Sequence, residues 1–319
     1  MTDPIEINRS FPVSGAARLT LRNVEGAIDI AAGEAEVISV RAVKHPGPGA
    51  NQTEIEITQA ADGSVSVVTH YLEDLVARLF HPRHHGPARV DYTVRLPKDC
   101  HLDVAFVSGQ ARLQGLQGQF ALRSVSGPID LQDLAGRLQI NTVSGPVTAA
   151  HIRLTDGVQL DTVSGDVVFA DSSIPAITAA SVSGKVQLQT ELGAGPYDFR
   201  SVSGDVWLAV PAIHGCQVDM YALSGRLHTG LPTSRHAASP GWTRVAFGAD
   251  GSGPQVRFHT VSGDLHLVVP GDPRDVGPSP AAGEAAPPAE PGEPDHLAIL
   301  ERIDRGELTV DEAVQHLKT

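Results

Sequence analysis

The sequence contains few cysteines, few aromatic residues and few charged residues, and each shortage excludes a class of protein. Cys100 and Cys216 are too few for a disulfide framework or a four-ligand zinc site, so we expect two reduced, buried thiols in a cytoplasmic protein. Aromatic residues make up only 4% of the 319 residues, which leaves little for stacking against sugars. No apolar run approaches the ~20 residues that span a bilayer. The first residues lack a basic start and an apolar stretch, so we expect no secretory signal.

Net charge and amino-acid composition further restrict the possible partners and the fold class. The net charge of -13 argues against nucleic acid as a partner, because phosphate binding requires a cationic surface. Apolar residues make up 41% of the chain, alongside 32 glycines and 23 prolines. Regular Val, Ile and Leu between many glycines predict numerous short strands joined by tight turns.

An internal repeat dominates the sequence. Successive copies start 18, 18, 20, 19, 20, 21 and 38 residues apart, and a Ser or Thr usually precedes each copy. The repeated triplet is Val-Ser-Gly, which begins at Val107, Val125, Val143, Val163, Val182, Val202 and Val261, with Leu223-Ser224-Gly225 as a variant.

The residues flanking each triplet predict two strands meeting at a corner. Apolar residues alternate on both sides, as at Phe120 and Leu122 before one corner and at Ile129 and Leu131 after it. Glycine suits the corner because it accepts φ > 0 and lets neighbouring backbones approach closely. We therefore predict an all-β fold, a parallel β-solenoid or β-helix of ~19-residue coils in which each strand pairs with its equivalent in the next coil.

The pattern divides the chain into four segments. Residues 1–98 are predicted to form a diverged β region that repeats the template around Leu19 and Gly26, with a helical excursion near 72–80. Residues 99–270 form the repeat solenoid. The excursion is predicted to cover an edge or end of the sheet, and a membrane-surface or dimer contact is the alternative.

The remaining two segments follow the repeats. Residues 271–294 are rich in Pro, Ala, Gly and Glu and predict an extended linker. Residues 295–319 predict two short helices, the second with a capping box from Thr309 to Glu312. A hairpin this small needs a docking partner, so we expect the C-terminal helices to bind a protein partner or a second copy of the chain.

These features resemble a known family. The stretch from about Val94 to Pro270 is similar to the bacterial β-strand-repeat proteins labelled "putative adhesin" and of unknown function, and the run from Ile299 to Ala313 resembles the SHOCT-like helical tail of some members. The resemblance implies an adhesin-like protein, and some relatives are linked to envelope stress and to the cell surface.

Three groups of polar residues are candidates for a functional site. The corner serines, from Ser108 to Ser262, recur without a neighbouring base, so we expect them to bond local backbone. Asp166, Asp205 and Asp264 follow the corner glycine in only three coils and form no continuous acidic ladder.

The third group is a loop that contains His81, His84 and His85. It is expected to be solvated, with a metal or an anion such as a lipid headgroup as the alternatives. No catalytic, cofactor-binding or metal-binding residue is predicted, and no cofactor.

The predicted function is accordingly that of a non-catalytic scaffold or interaction protein with a tethered helical docking module. The main alternative is a carbohydrate-binding or carbohydrate-active β-helix protein. Self-assembly into fibres by end-to-end stacking is a third reading, which the capped ends oppose.

Overall fold

Short strands joined by tight corners run through the whole described part of the chain. The computed structural model describes residues 3–47, 49–71, 87–209, 216–229, 231, 233–247 and 253–268. These residues form 25 strands and no helix, so the all-β prediction is confirmed for them. None of them forms a helix with the length and hydropathy of a membrane span. The predicted helix at 72–80, the linker and the helical tail lie outside the described residues and stay predictions.

The strands fall into an N-terminal group, a long repetitive group and a C-terminal group. The first seven are β1 (Ile5–Pro12), β2 (Ala17–Glu25), β3 (Ile28–Ala32), β4 (Val37–Lys44), β5 (Thr53–Gln59), β6 (Val65–Tyr71) and β7 (Val90–Leu96). The next twelve are β8 (Asp99–Ser108), β9 (Ala111–Gln114), β10 (Gln117–Ser124), β11 (Ile129–Gln132), β12 (Ala135–Thr142), β13 (Val147–Ala150), β14 (Arg153–Thr162), β15 (Val167–Ile174), β16 (Ile177–Ser181), β17 (Val186–Leu192), β18 (Tyr197–Ser201) and β19 (Val206–Ala209). The last six are β20 (Cys216–Ala222), β21 (Leu227–Thr229), β22 (Thr233–Ser239), β23 (Trp242–Phe247), β24 (Gln255–Thr260) and β25 (Leu265–Val268).

Each coil consists of one strand before the corner and one after it, and the two strands belong to opposite faces. Phe120 and Leu122 point inward from β10, and Ile129 and Leu131 point inward from β11, as the alternation predicts. Along the first face the strands pair in the order β5, β6, β2, β8, β10, β12, β14, β16, β18, β24, β20, β23, β22. Along the second face the order is β1, β4, β7, β3, β9, β11, β13, β15, β17, β19, β25, β21.

The N-terminal region contributes a coil of the same stack. β2 pairs in parallel with β8, which sets Leu19 opposite Leu102, and β3 pairs with β9 in the same way. The template recognised around Leu19 and Gly26 is therefore confirmed as a coil. The antiparallel strands β1, β4 and β5 lie at this end of the two faces.

The coils at the other end do not follow sequence order, which corrects the expectation that each strand pairs with the next coil along the chain. β24 and β25 pair with β18 and β19 on one side and with β20 and β21 on the other. The coil formed by β24 and β25 is thus inserted between two coils that precede it in the sequence. The double spacing of 38 residues before Val261 marks this insertion.

The corner glycines form a column in which each backbone touches the next. An added Cβ at Gly165 would lie far inside van der Waals contact with the carbonyl oxygen of Gly145, and the same holds from coil to coil. No other residue fits such a column without moving the coils apart. Its members, in spatial order, are Gly26, Gly109, Gly127, Gly145, Gly165, Gly184, Gly204, Gly263 and Gly225.

The reason for glycine differs in part from the predicted one. Only Gly26 and Gly109 in this column adopt positive φ, both at 127°. Gly165 and Gly204 do not, so left-handed backbone explains the choice of glycine only in the first two coils. Close approach of the neighbouring backbone explains it throughout.

We expect Gly165→Ala to lower the free energy of unfolding by about 1–3 kcal/mol, because the new Cβ overlaps the backbone of the adjacent coil. Gly47→Ala is the matched control, since an added Cβ there meets no atom within 4 Å. Urea unfolding followed by circular dichroism measures both changes. Equal stability of the two variants would contradict the proposed role of the column.

Both cysteines are free and buried, as the sequence predicts. Cys100 lies on β8 and Cys216 lies on β20, with exposed fractions of 1% and 0%. Burial raises the pKa of the Cys100 thiol to about 12, with a smaller contribution from Asp99, and burial raises that of Cys216 to about 11. Thiolate is therefore scarce at neutral pH in the folded protein.

Iodoacetamide at pH 8 should label the folded protein very slowly, because the reactive species is the thiolate and both sulfur atoms are shielded. Unfolding in urea at the same pH should bring two thiols per chain to reaction. Mass spectrometry of timed samples gives the count. Fast labelling of either thiol in the folded state would show that its coil opens readily.

Candidate functional site

The corner serines hold one coil to the next. Each hydroxyl donates to the carbonyl of the triplet Val in the adjacent coil, at 3.1 Å for Ser126 and 3.4 Å for Ser164. Because the bond crosses between coils, it is not the local backbone contact that the sequence suggested. Equivalent bonds are made by Ser144, Ser183, Ser203, Ser224 and Ser262.

The hydroxylated residue before each triplet has a second, buried role. Thr162 is only 3% exposed, accepts a hydrogen bond from the Gly165 amide at 3.1 Å, and donates to the Gly165 carbonyl at 3.3 Å. Ser124 makes the same pair of bonds with Gly127. These hydroxyls satisfy corner backbone groups that would otherwise be buried without partners.

The three aspartates that follow corner glycines also bind backbone. Each carboxylate accepts a hydrogen bond from a backbone amide of the adjacent coil. The donor is Lys185 for Asp166 at 2.9 Å, Asp264 for Asp205 at 2.8 Å, and Arg226 for Asp264 at 2.8 Å. Because the inserted coil follows Gly204 in space, Asp205 and Asp264 are direct neighbours, whereas Asp166 is separated from them by the coil of Lys185. Asp205 and Asp264 therefore lie in adjacent coils near one end of the stack.

A row of rings lies beside these two carboxylates. Trp207, His266 and His228 occupy adjacent parallel strands in one register, on β19, β25 and β21. The indole and the His266 ring stack with centroids 3.7 Å apart at 4°, and the two imidazoles stack at 4.6 Å and 10°. On the other side of Trp207, Lys185 Nζ lies 6.0 Å from the ring centroid.

The imidazoles and Asp264 form a compact polar cluster. His228 Nε2 lies 2.9 Å from Asp264 Oδ2, and one donor atom from each of His228, Asp264 and His266 lies within 4.8 Å of the others. His228 is exposed, while Asp264 and His266 are half-buried. These three residues are called the imidazole cluster below.

Electrostatics favours the ionised carboxylate and the neutral ring. Partial burial would raise the pKa of Asp264, but the hydrogen bonds from the Arg226 amide and from His228 outweigh it and lower the pKa. Burial lowers the pKa of His266, and His228 and Lys185 lower it further against the opposing effect of Asp205 and Asp264. At neutral pH the cluster thus combines an anionic oxygen donor with an uncharged imidazole on His266.

Sequence reasoning missed this cluster although a signal existed. Trp207, His228 and His266 each stand three residues after a corner glycine, the same outward-facing position of the repeat. Sequence order, however, would set Trp207 beside His228 rather than beside His266. The inserted coil is what joins His266 to both neighbours. The predicted loop of His81, His84 and His85 lies outside the described residues.

Two stacks of parallel strands, joined at glycine corners around an apolar interior, define a β-solenoid-like protein. The chain belongs to the Toastrack DUF4097 family, whose model matches residues 17–268. The resemblance to bacterial repeat proteins is confirmed for this segment, and the SHOCT-like tail lies beyond it and stays a prediction.

Three solved structures of low identity match the chain, and one of them has a TM-score above 0.5. A "putative lipid binding protein" from Parabacteroides distasonis is 12% identical with a TM-score of 0.51, over 82% of this chain and 96% of that one. A "putative adhesin" from Bacteroides fragilis is 10% identical with a TM-score of 0.43, over 82% and 97%. A "putative cell adhesion protein" from Clostridium sporogenes is 9% identical with a TM-score of 0.29, over 84% and 100%. The first of these three shows a similar fold and nothing more. A comparison with curated proteins found no match.

The two kinds of corner hydroxyl should differ in their contribution to stability. Thr162→Val removes a buried bond partner of the Gly165 amide and carbonyl, so we expect a loss of about 1–3 kcal/mol. Ser164→Ala removes an exposed bond of 3.4 Å and should cost less than about 1 kcal/mol. Urea titrations of both variants rank the two losses. The reverse ranking would refute the assignment.

Proposed function

We propose that the protein is a non-catalytic, adhesin-like scaffold that binds a protein partner or a second copy of itself through residues 295–319. The observation that carries the proposal is that the recurring polar side chains are hydrogen-bonded to the backbone of the coils. The corner hydroxyls and the aspartates that follow them hold backbone groups of the coils, as Ser164 and Asp166 do. A repeat whose polar residues are engaged in this way supports a structural role for the solenoid.

The distribution of exposed apolar residues adds support for an interaction role. Tyr221 is 40% exposed, Leu223 is 83% exposed and Val261 is 48% exposed. All three belong to the last two coils of the stack, in or beside β20 and β24, whereas Ile5, which is 52% exposed, lies apart from them on β1. Aromatic and aliphatic side chains exposed together are typical of binding surfaces.

The carbohydrate-binding alternative gains no support from Trp207. Sugar recognition by stacking requires an open ring face, but His266 stacks on one side of this indole and Lys185 lies towards the other. One face of Tyr221 is stacked on His259, at 4.6 Å and 7°. The link to envelope stress rests on the family resemblance and stays a prediction.

Replacing the apolar face of the predicted second tail helix should abolish docking. We expect the combined variant Val310→Ser, Val314→Ser and Leu317→Ser to lose the self-association or partner binding of the full chain, because these residues supply its apolar contact area. The control is Gln315→Ser, which falls on the opposite side of a helix drawn from the sequence.

Two measurements cover the two kinds of partner. Sedimentation velocity over a wide concentration range reports self-association, and affinity capture with the immobilised full chain reports other proteins. A difference between the combined variant and Gln315→Ser in either measurement supports the docking role. Identical profiles for wild type and the combined variant in both would refute it.

A further inference from the structure

We propose that His228, His266 and Asp264 bind a divalent transition-metal ion of the copper and zinc group. The ion would join the outermost coil of the stack to its neighbour, because His228 lies on β21 and the other two ligands lie in the inserted coil with β25. Asp264 already accepts a hydrogen bond from the Arg226 amide at the corner, through one carboxylate oxygen.

The geometry suits a shared ion. One donor atom from each residue lies within 4.8 Å of the other two, and His228 Nε2 and Asp264 Oδ2 are 2.9 Å apart. Ligand distances of roughly 2.0–2.2 Å bring donors of one ion to about 3–4 Å from each other. The side chain of His228 is 46% exposed, so its ring is free to turn from the stacked arrangement and close the remaining gap.

The donor chemistry selects the class of ion. Two imidazole nitrogens and one carboxylate oxygen suit borderline ions such as Cu²⁺ and Zn²⁺ better than Ca²⁺ or Mg²⁺, which prefer oxygen alone. The amide of Arg226 holds Asp264 through Oδ1, which leaves Oδ2 for the ion. A hydrogen bond from a neighbouring backbone amide to a ligating carboxylate orients that carboxylate towards the metal.

The surrounding charges nearly balance. Asp205 adds a second carboxylate close to His266, and Lys185 opposes it from the adjacent coil. Asp205 is itself held by the Asp264 amide at 2.8 Å. The ion would therefore be attracted mainly by its own three ligands.

The site has a structural consequence for the end of the stack. β21 has only three residues, and among the described residues it pairs with β25 alone. His228 lies 36 residues before Asp264 and 38 before His266 in the sequence. The ion would therefore add a cross-link between side chains of two coils to the backbone hydrogen bonds that already join them. Metal binding should consequently stabilise the folded state.

Trp207 provides a direct optical probe, because it stacks on His266 and is one of two tryptophans in the chain. In a Trp242→Phe background produced without a polyhistidine tag, we expect Cu²⁺ to quench Trp207 fluorescence in a saturable way, and Zn²⁺ to compete. His228→Ala and Asp264→Asn in that background should weaken the binding by at least about tenfold.

Two controls separate this site from other histidines. His70→Ala removes an exposed histidine that pairs with Glu56 at 3.0 Å but has no second imidazole assigned to it, and it should leave quenching unchanged. Replacement of His81, His84 and His85 by Ala should also leave it unchanged. Absence of quenching, or quenching equal in His228→Ala and its parent, would overturn the proposal, as would its loss with the loop variant alone.

Thermal unfolding gives an independent test with Zn²⁺ alone. The midpoint should rise with Zn²⁺ concentration in wild type and in His70→Ala, and Asp264→Asn should need at least about tenfold more Zn²⁺ for the same rise. Asp264→Asn keeps an oxygen acceptor for the Arg226 amide, so its fold is preserved while the anionic ligand is lost. An equal rise in Asp264→Asn would refute the site.

Discussion

Close contact between backbones at the corners is the constraint on which the solenoid depends. Parallel coils can hydrogen-bond at the ordinary spacing of ~4.8 Å only if nothing protrudes between them. At Gly145 and Gly165 the absence of a side chain meets that condition, and the buried hydroxyl of Thr162 then satisfies the polar groups of the bend. Ser164 completes the corner with a bond to the coil beside it.

Much of the coil structure could be predicted from the sequence, because the period of the repeat gives the length of each coil and the position of its corner. Alternation around the triplets predicts which residues face the interior, as Phe120 and Leu122 do in the structure. The role of glycine was predicted only in part, since positive φ and close packing both favour glycine and the sequence does not distinguish them. The distinction became clear only at Gly165 and Gly204.

The imidazole cluster could not be predicted, and the reason is topological. Positions within a coil follow from the period of the sequence, but neighbours across coils follow from the order of stacking. His228 precedes His266 in the chain, yet His266 is the residue that lies next to Trp207. A single exchange of coil order thus changes which side chains meet while leaving every inward-facing residue in the interior.

The exchanged coil order also bears on how the chain is made. Residues 216–229 are synthesised before residues 255–268, although the latter supply their parallel partners. As the polypeptide leaves the ribosome from its N-terminus, the earlier segment can pair with β23, but it must wait for the later segment before its native parallel contacts exist. The last coil of the stack to be completed is therefore not the last to be translated, and a nascent chain that stops near residue 250 would expose β18 and β19 as an open edge.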